Sequence, residues 1–378
     1  MKSKHKFLVT GGAGFIGSHI VERLLKDGHF VRVLDNFSSG KRENLSFVLS
    51  RQSTVDRPQK KRSVVRGLWS VDYYNNFELI KGDIRNSNTC LKATKNIDFV
   101  LHQAALRSVP KSLEMPHEYN EVNIDGTVNM LEACLKNKVK RFVFASSSSV
   151  YGDAKTFPQK ETDPSYLISP YALTKLADEY YCRIFSVNYG LETVGLRYFN
   201  VFGPRQALDD EYAVVIPKFI HCILHDEQPP IFGTGEQSRD FTYIDNVIQA
   251  NILAATTRLD HRPQSTDHRK HRGPSTVDRE LKHASNKGCG PSTVDCGLTN
   301  HTVLNVANGK DCTVLDLVSK LNAIIGKNIK PKFLPVRAGD VFRTLADISK
   351  IQSVLGYKPV VEFEEGLKRT VEYFKNIV

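Results

Sequence analysis

KFLVTGGAGFIG, running from Lys6 to Gly17, joins a short apolar run to a glycine-rich turn and then to an amphipathic pattern. The apolar run predicts a strand, and the pattern that follows predicts a helix beginning near residue 15. Glycines let the backbone of the turn approach a pyrophosphate, and the start of the helix offers unpaired N–H groups and a partial positive charge. The stretch therefore predicts a dinucleotide site formed by Gly11, Gly14, Phe15, Ile16 and Gly17.

A second apolar run, from Phe30 to Leu34, ends in Asp35 and is followed by Asn36. An acidic residue at the tip of the second strand accepts hydrogen bonds from the ribose hydroxyls of a dinucleotide and repels a 2′-phosphate. No arginine follows directly, so the sequence favours NAD over NADP. The alternative is a glycine turn that only packs a helix against a strand, and the acid argues against it.

The composition of the 378-residue chain is that of an ordinary globular protein, with 40% hydrophobic and 25% charged residues. No apolar run is long enough to cross a membrane, and the first residues lead into the first strand without room for a signal peptide. The seven cysteines are scattered, as is usual in a reducing compartment. We therefore expect a cytoplasmic protein that does not enter a membrane.

Two segments, residues 50–73 and 257–301, have the composition of solvated loops and share the tetrapeptide Ser-Thr-Val-Asp. They carry +4 and +3 of the formal net charge of +11, so the rest of the chain is nearly balanced. We interpret both as low-complexity insertions and expect no nucleic-acid partner. Cys289 and Cys296 lie in the second segment, but their spacing fits no common zinc pattern, so no metal site is expected.

Outside these segments, apolar runs alternate with helical patterns, which predicts an α/β fold with a doubly wound parallel Rossmann sheet. After residue 200 the regularity weakens, which predicts a smaller, discontinuous substrate-binding lobe. We expect a Rossmann domain of residues 1–200, completed by about 238–256 and 302–308, and a lobe of residues 201–237 plus 309–378. Residues 41–49 are expected to form a turn.

Tyr171 and Lys175 lie four residues apart on a helix predicted to run from Pro170 to about Tyr189, and therefore on one face of it. A phenol is a poor base near neutral pH unless a nearby cation stabilises its phenolate form. Lys175 can supply that charge and can also hold the ribose of a dinucleotide. The pair predicts a general base and acid, although taken alone it is more often a chance feature of a solvated helix.

Four serines, Ser146 to Ser149, directly follow an apolar run at 141–145 that predicts a buried strand. Ligands bind at the carboxyl ends of the strands in a parallel sheet. We therefore expect at least one of these serines to face the site, where its hydroxyl can bind a substrate oxygen. A bland linker is the alternative interpretation of the serine run.

Several motifs occur in an order typical of one protein family. They are the glycine turn, Gly82-Asp-Ile84, His102-Gln-Ala-Ala105, Ser146 to Gly152, the pair Tyr171 and Lys175, Arg197 to Gly203, Ser238 to Asp245, and Arg337-Ala-Gly-Asp340. The chain resembles the extended short-chain dehydrogenase/reductase family, and specifically its NAD-dependent UDP-hexose 4-epimerases. Residues 108–112 and 238–241 are most similar to the UDP-N-acetylglucosamine 4-epimerases of bacterial surface-polysaccharide pathways.

The resemblance implies that the cofactor is NAD, that the enzyme is a homodimer, and that the catalytic residues are Ser147, Tyr171 and Lys175. Beyond the glycine turn, the cofactor-binding residues that it implies are Asp35, Asn36, Asp83, Ile84, Gln103, Ala104, Ala105, Asn123, Tyr171, Lys175 and Tyr198. The implied UDP-sugar-binding residues are Arg107, Ser148, Ser149, Asn200, Ile216, Arg239, Arg337, Asp340 and Thr344.

The implied reaction is epimerisation at C4 of a UDP-hexose through a 4-keto intermediate. The chain has Ser147 to Ser149 where related dehydratases carry Thr-Asp-Glu, which argues against dehydration. In the epimerases the position of Thr344 controls sugar size, and its small side chain implies that UDP-N-acetylglucosamine and UDP-glucose both enter. The alternatives are a UDP-glucuronate 4-epimerase or decarboxylase, with Arg107 as an added basic contact, and a non-catalytic NAD-fold protein whose basic loops bind nucleic acid.

Overall fold

A parallel sheet of seven strands forms the centre of the computed structural model, which describes residues 4–52, 75–207, 215–259, 300–336 and 341–377. The strands of the described residues are β1 (Lys6–Thr10), β2 (Phe30–Asp35), β3 (Phe77–Lys81), β4 (Phe99–His102), β5 (Arg141–Ser147), β6 (Glu192–Tyr198), β7 (Val201–Phe202), β8 (Pro230–Phe232), β9 (Ser238–Asp240), β10 (Thr242–Tyr243), β11 (His301–Val306), β12 (Asp311–Thr313) and β13 (Lys332–Leu334). The order in the central sheet is β11-β6-β5-β4-β1-β2-β3.

The helices connect these strands and cover the sheet. They are α1 (Phe15–Lys26), α2 (Ser46–Gln52), α3 (Ser87–Thr94), α4 (Val109–Glu114), α5 (Pro116–Tyr119), α6 (Gly126–Lys136), α7 (Pro170–Tyr189), α8 (Val215–Leu224), α9 (Ile244–Thr256), α10 (Val314–Ile325), α11 (Ser349–Leu355) and α12 (Phe363–Lys375). A π-helical segment, Asn120–Asp125, joins α5 to α6, and short 3₁₀ helices occupy Arg42–Leu45 and Ser148–Tyr151.

Both faces of the sheet are buried under helices. Leu8 and Val9 follow each other on β1 and point to opposite faces, so they enter different core clusters. Val9 packs in the cluster that contains Ile20 of α1 and Val247 of α9, and Leu8 packs in the cluster that contains Leu131 of α6. This three-layer arrangement confirms the predicted doubly wound α/β fold.

Two local expectations from the sequence are wrong. Residues 41–49 are not a turn, because a 3₁₀ helix at Arg42–Leu45 leads into α2. Leu45 and Val48 lie three residues apart, so they share one helical face, and both are buried in the core cluster beside α1. The part after residue 200 is also more regular than expected, with α8, α10, α11 and α12 and with the small strand pairs β7–β10, β8–β13 and β9–β12.

Most residues of the two proposed insertions lie outside the described ranges. The first one is entered from α2, and the second one separates α9 from β11, which pairs in parallel with β6 at the edge of the central sheet. Within the described ranges, no helix combines the length and the apolar character that are needed to cross a bilayer.

Candidate active site

A cavity of about 720 Å³ opens at the carboxyl ends of the central strands, which is where ligands bind in open parallel sheets. Most of the site residues predicted from the sequence line it. They are Gly11, Gly14, Phe15, Ile16, Gly17, Asp35, Asn36, Asp83, Ile84, Gln103, Ala104, Ala105, Arg107, Ser147, Ser148, Ser149, Tyr171, Lys175, Tyr198 and Asn200.

Gly11 and Gly17 of the glycine turn have no room for side chains. Gly11 adopts a φ of +64°, and a Cβ on Gly17 would lie 2.1 Å from the carbonyl oxygen of Gly11. Helix α1 follows Gly14, which occupies the N-cap and offers no side chain to bind the first N–H groups. A helix N-terminus of this kind at a cavity wall fits the pyrophosphate of a dinucleotide.

Asp35 lines the cavity at the end of β2. Its two carboxylate oxygens accept hydrogen bonds from the backbone N–H groups of Ala13 and Phe37, each at 2.8 Å, and burial raises the pKa of this carboxyl. Each oxygen keeps a further lone pair, so the carboxylate can still accept hydrogen bonds from ribose hydroxyls. The geometry fits NAD at this position.

A second polar group lies beside Asp35. The Asn36 amide donates to Asp83 Oδ2 at 2.9 Å, and the Arg85 guanidinium forms an ion pair with the same carboxylate at 2.8 Å. Arg85 holds the pKa of Asp83 well below its usual range. Sequence reasoning missed several lining residues here, namely Ser38, Ser39, Gly40, Lys41, Asn44 and Arg85. The turn-forming composition directly after Asp35 is the signal that could have identified the first of them.

The end of β5 brings serine hydroxyls to the cavity. Ser147 is the last residue of the strand, and its hydroxyl accepts a hydrogen bond from the backbone N–H of Ser149 at 3.1 Å. Ser146 also lines the cavity, but its hydroxyl donates to Glu179 of α7 at 2.5 Å. The Ser147 hydroxyl donates to Ser149 Oγ at 3.1 Å, a neutral partner on the same cavity wall, whereas the Ser146 hydroxyl is held by a buried carboxylate. Ser147 is therefore the strand-end hydroxyl that can more readily turn to a ligand.

Helix α7 carries Tyr171 and Lys175 one turn apart, and both line the cavity. The helix begins at Pro170, and the Ser169 hydroxyl caps it by accepting a backbone hydrogen bond at 3.2 Å. The ring of Tyr171 meets that of Tyr119 edge-on, with 6.4 Å between the ring centroids. A phenol and an ammonium thus lie on the cavity wall next to the serine-bearing strand end.

The model of the NAD dependent epimerase/dehydratase family matches residues 7–265. The chain belongs to this family. A UDP-N-acetylglucosamine 4-epimerase from Methanobrevibacter ruminantium, solved in complex with UDP-N-acetylmuramic acid, is 37% identical to it, with a TM-score of 0.78 and 100% of each chain covered. The resemblance stated from the motifs is thereby confirmed.

Two further relatives are similar over the whole chain. The UDP-glucose 4-epimerase of Mycolicibacterium smegmatis is 32% identical over 371 residues, which are 98% of each chain. A UDP-glucuronic acid 4-epimerase from Bacillus cereus, solved with UDP-glucuronic acid and NAD, is 31% identical, with a TM-score of 0.76 and coverage of 99% of this chain and 100% of that one. Members of the family that are similar to this chain therefore differ in the sugar that their names state.

Asn123, which the resemblance implies to be a cofactor-binding residue, does not line the cavity. It is fully buried, and its amide donates to the Leu106 carbonyl and to the Thr174 hydroxyl, both at 3.0 Å. Its Oδ1 accepts the N–H of Leu106 at 2.8 Å. Asn123 therefore fixes the backbone that follows Ala105, a lining residue, and any effect on a ligand passes through that backbone.

Asn200 lies at the cavity just after β6, with a φ of +34°. Its amide donates to Thr344 Oγ1 at 2.9 Å and to the Asp240 carbonyl at 3.2 Å. Thr344 is 6% exposed and lies one hydrogen bond behind Asn200 rather than on the cavity wall. A larger side chain at position 344 would therefore reach the cavity by displacing Asn200.

Asp240 is a buried residue of this region that sequence reasoning did not single out. Its carboxylate accepts backbone hydrogen bonds from Asn308 and Gly309 at 3.0 Å and from Ala346 at 3.3 Å. Burial raises the pKa of Asp240 to about 7. The residue joins the loop after β11 to the segment that contains Thr344, and no local pattern indicates partners so distant in sequence.

The other predicted substrate-binding residues lie elsewhere or are not described. Arg239 is half-buried next to Asp240, and its Nη1 donates to the Ser238 carbonyl at 2.9 Å and to the Phe342 carbonyl at 3.1 Å. Ile216 is fully buried on α8 and does not line the cavity. Arg337 and Asp340 lie outside the described residues.

Proposed function

We propose that the protein is an NAD-dependent 4-epimerase of UDP-hexoses, acting on UDP-N-acetylglucosamine and UDP-N-acetylgalactosamine, on UDP-glucose and UDP-galactose, or on both pairs. One observation carries the proposal: Ser147, Tyr171 and Lys175 line the same cavity as the glycine turn and Asp35. An acid and base group and a dinucleotide site that share one cavity can oxidise and reduce a sugar alcohol in place.

Three residues of the cavity wall have different roles in the proposed reaction. Bound NAD takes the hydride from C4 of the sugar and returns it to the opposite face of the same carbon. Tyr171 accepts the proton of the 4-hydroxyl as the 4-keto sugar forms and donates it back on reduction, while Ser147 hydrogen-bonds to the same oxygen. Lys175 supplies the positive charge that favours the phenolate form of Tyr171. Because the hydride is returned, NAD is not consumed.

The diphosphate must stay bound while the keto sugar rotates and presents its other face to the cofactor. Asn200 lines the cavity, which supports this role for it, and the resemblance adds Arg239 and Arg337 for the diphosphate and Asp340 for the uridine ribose. A guanidinium matches phosphate oxygens in charge and geometry. Thr344 acts from behind this wall through its hydrogen bond to Asn200, and Ile216 does not line the cavity.

UDP-glucuronate is a second candidate substrate. Arg107 lines the cavity, and a guanidinium there can pair with a sugar carboxylate. The similar enzyme from Bacillus cereus is a UDP-glucuronic acid 4-epimerase. A decarboxylase would share the oxidation step and lose CO₂ from the keto acid, so product analysis separates the two.

The test is to incubate the purified protein separately with UDP-N-acetylglucosamine, UDP-glucose and UDP-glucuronate, without added reductant, and to resolve the products by chromatography. The expected result is the galacto epimer of at least one of the first two substrates, with loss of turnover in Tyr171→Phe and retention of bound NAD. Turnover of UDP-glucuronate alone would support the second candidate. No product from any of them would contradict the assignment as an epimerase.

We also propose that the enzyme is a homodimer in which α7 pairs with its copy. The helix exposes a row of apolar side chains at a spacing that keeps them on one side. Helix α4, which packs next to α7, exposes one further apolar side chain. They are Leu173, Tyr180, Ile184 and Val187 on α7 and Leu113 on α4. Contiguous exposed apolar surface of this kind is typical of protein–protein contacts.

The proposed domains are those expected from the sequence: a Rossmann domain of residues 1–200 completed by 238–256 and 302–308, and a UDP-sugar lobe of residues 201–237 plus 309–378. The parallel pairing of β11 with β6 supports the return of the chain to the first domain. We place the enzyme in the cytoplasm, in keeping with the free thiols of Cys90, Cys134, Cys182, Cys222 and Cys312.

A further inference from the structure

The ammonium of Lys175 has a carboxylate partner inside the protein. Lys175 Nζ lies 3.2 Å from Asp178 Oδ2, and the two side chains are 4% and 1% exposed. Lys175 lines the cavity, whereas Asp178 does not. Asp178 therefore contacts Lys175 from within the protein, one helical turn further along α7.

Several elements present polar groups to Asp178. The charged and titratable groups around it are Lys175, Glu179 and Cys182 of α7, His102 of β4 through Thr127, Cys134 of α6 behind Cys182, and Arg197 of β6 through Glu179. Glu179 has its own counter-charge, because Arg197 pairs with it at 2.7 Å. Lys175 is thus left to balance Asp178, whose Oδ1 accepts no hydrogen bond from the described residues.

A line of buried hydrogen bonds runs from the cofactor side of the sheet to Asp178. The N–H of Ala104 donates to Thr10 Oγ1 at 3.2 Å, and Thr10 Oγ1 lies 2.8 Å from His102 Nδ1. His102 Nε2 lies 3.2 Å from Thr127 Oγ1. Burial raises the pKa of Asp178 to about 6, and Lys175 and a hydrogen bond from Thr127 oppose that rise. The line joins β1, β4 and α6 to the carboxylate beside Lys175.

The donors and acceptors of this line are consistent with one orientation of its hydrogen bonds. Burial lowers the pKa of His102 to about 3, so the ring is neutral and has one N–H. The Thr127 hydroxyl donates to the carboxylate, so its oxygen accepts from His102 Nε2–H. His102 Nδ1 then accepts from the Thr10 hydroxyl. Each hydroxyl donates once, and every donation points toward Asp178.

We propose that Asp178 is a positioning residue that holds the Lys175 ammonium at the cavity wall and limits how much of its positive charge acts on Tyr171. The proposal rests on the roles of Tyr171 and Lys175 in the proposed function. A carboxylate beside the ammonium offsets part of its field at the phenol. Burial raises the pKa of Asp178 to about 6, so the carboxylate is charged at neutral pH, where Lys175 and Thr127 favour its charged form.

Asp178→Asn is the first test, because it keeps the size of the side chain and removes its charge. Without the carboxylate, Lys175 favours the phenolate form of Tyr171 more strongly. The acid limb of the pH profile of kcat should therefore move to lower pH by about half a unit to one unit, given a helical spacing of about 10 Å between residues 171 and 178. The phenolate absorbance of Tyr171 is obtained by subtracting the absorbance of the same protein with the additional change Tyr171→Phe. The midpoint of its pH titration should move by the same amount.

Three further variants make the test specific. Thr127→Val removes the donor to the carboxylate and should shift both titrations in the same direction by a smaller amount. Asp178→Glu keeps the charge and should leave the titrations close to those of the wild type. Ser186→Ala removes another buried hydroxyl of α7 that has no partner among the described residues, and it should shift neither.

The absorbance titration needs no turnover, so it separates this proposal from the proposed function. A wild-type protein that binds NAD but epimerises no sugar would contradict the function, and the absorbance shift would still decide the role of Asp178. Folded Asp178→Asn and Thr127→Val proteins whose titrations superimpose on those of Ser186→Ala would overturn the proposal. If Asp178→Asn does not fold, the titrations of Thr127→Val, compared with those of Ser186→Ala, decide whether the proposal holds.

Discussion

The guanidinium of Arg197 holds the carboxylate of Glu179 in a two-point ion pair, with Nε 2.9 Å from Oε1 and Nη2 2.7 Å from Oε2. Both side chains are buried, and Glu179 Oε1 also accepts the Ser146 hydroxyl at 2.5 Å. The pair joins α7, which carries Tyr171, to β6 and to the end of β5. It therefore fixes the helix and the strand end that bring Tyr171 and Ser147 to the cavity wall.

Glu179→Met should destabilise the fold by about 3–5 kcal/mol, because it leaves the Arg197 guanidinium buried without a counter-charge. Denaturation by urea measures the free energy of unfolding. The double variant Glu179→Met/Arg197→Met removes both charges and should be more stable than the single variant. A single variant as stable as the wild type would show that the pair does not matter for the fold.

Thr344→Tyr should suppress turnover of UDP-N-acetylglucosamine selectively. Thr344 lies directly behind Asn200, so a phenol ring at this position would displace the cavity wall and occupy space that an N-acetyl group needs. We expect the ratio of kcat/KM for UDP-N-acetylglucosamine to that for UDP-glucose to fall by about tenfold or more. The two substrates are assayed with one protein preparation, which cancels differences in active fraction.

Two control variants distinguish the effect of a larger side chain at position 344 from the effect of losing the Thr344 hydroxyl. Thr344 Oγ1 accepts the Asn200 amide at 2.9 Å, and Thr344→Val removes that acceptor without adding size. Thr344→Val should lower turnover of both substrates alike, whereas Thr344→Ser keeps the hydroxyl and should resemble the wild type. Equal loss of both substrates in Thr344→Tyr would contradict the idea that this position limits sugar size.

Local spacing explains why much of the fold and of the cavity could be predicted. Gly11, Asp35 and the pair Tyr171 and Lys175 each belong to a motif that is complete within one turn, one strand end or one helical turn. Asp240 shows where such reasoning ends, because its carboxylate accepts the N–H of Ala346, 106 residues further along the chain. Polar groups that are buried and paired across the fold leave no periodic pattern in the sequence.

The buried side chain of His102 should lower the free energy of unfolding as the pH falls. Burial lowers the pKa of His102 to about 3, while the unfolded chain titrates near its usual value of about 6.5. Between these values the unfolded state binds a proton that the folded state does not bind. His102 therefore costs about 1.4 kcal/mol of unfolding free energy for each unit that the pH falls between about 6 and 4.

His102→Gln should remove that contribution, whatever its effect on stability at neutral pH. The measurement is urea denaturation at a series of pH values between about 6 and 4, and the compared quantity is the slope of the unfolding free energy against pH. His19 should still contribute, since burial lowers its pKa to about 4. Equal slopes for the variant and the wild type would mean that His102 is protonated in the fold.

The apolar row on α7 should decide the oligomeric state. Ile184 is 48% exposed, and Ile184→Glu would place a charge at the centre of the proposed helix pairing, where two copies would bring like charges together. We expect the dimer to dissociate, with the mass from light scattering falling by half at the same concentration. Val360 is 58% exposed and lies far from α7 in the sequence, so Val360→Glu serves as a control for added surface charge. A wild-type monomer, or a dimer that both variants keep, would place the contact elsewhere.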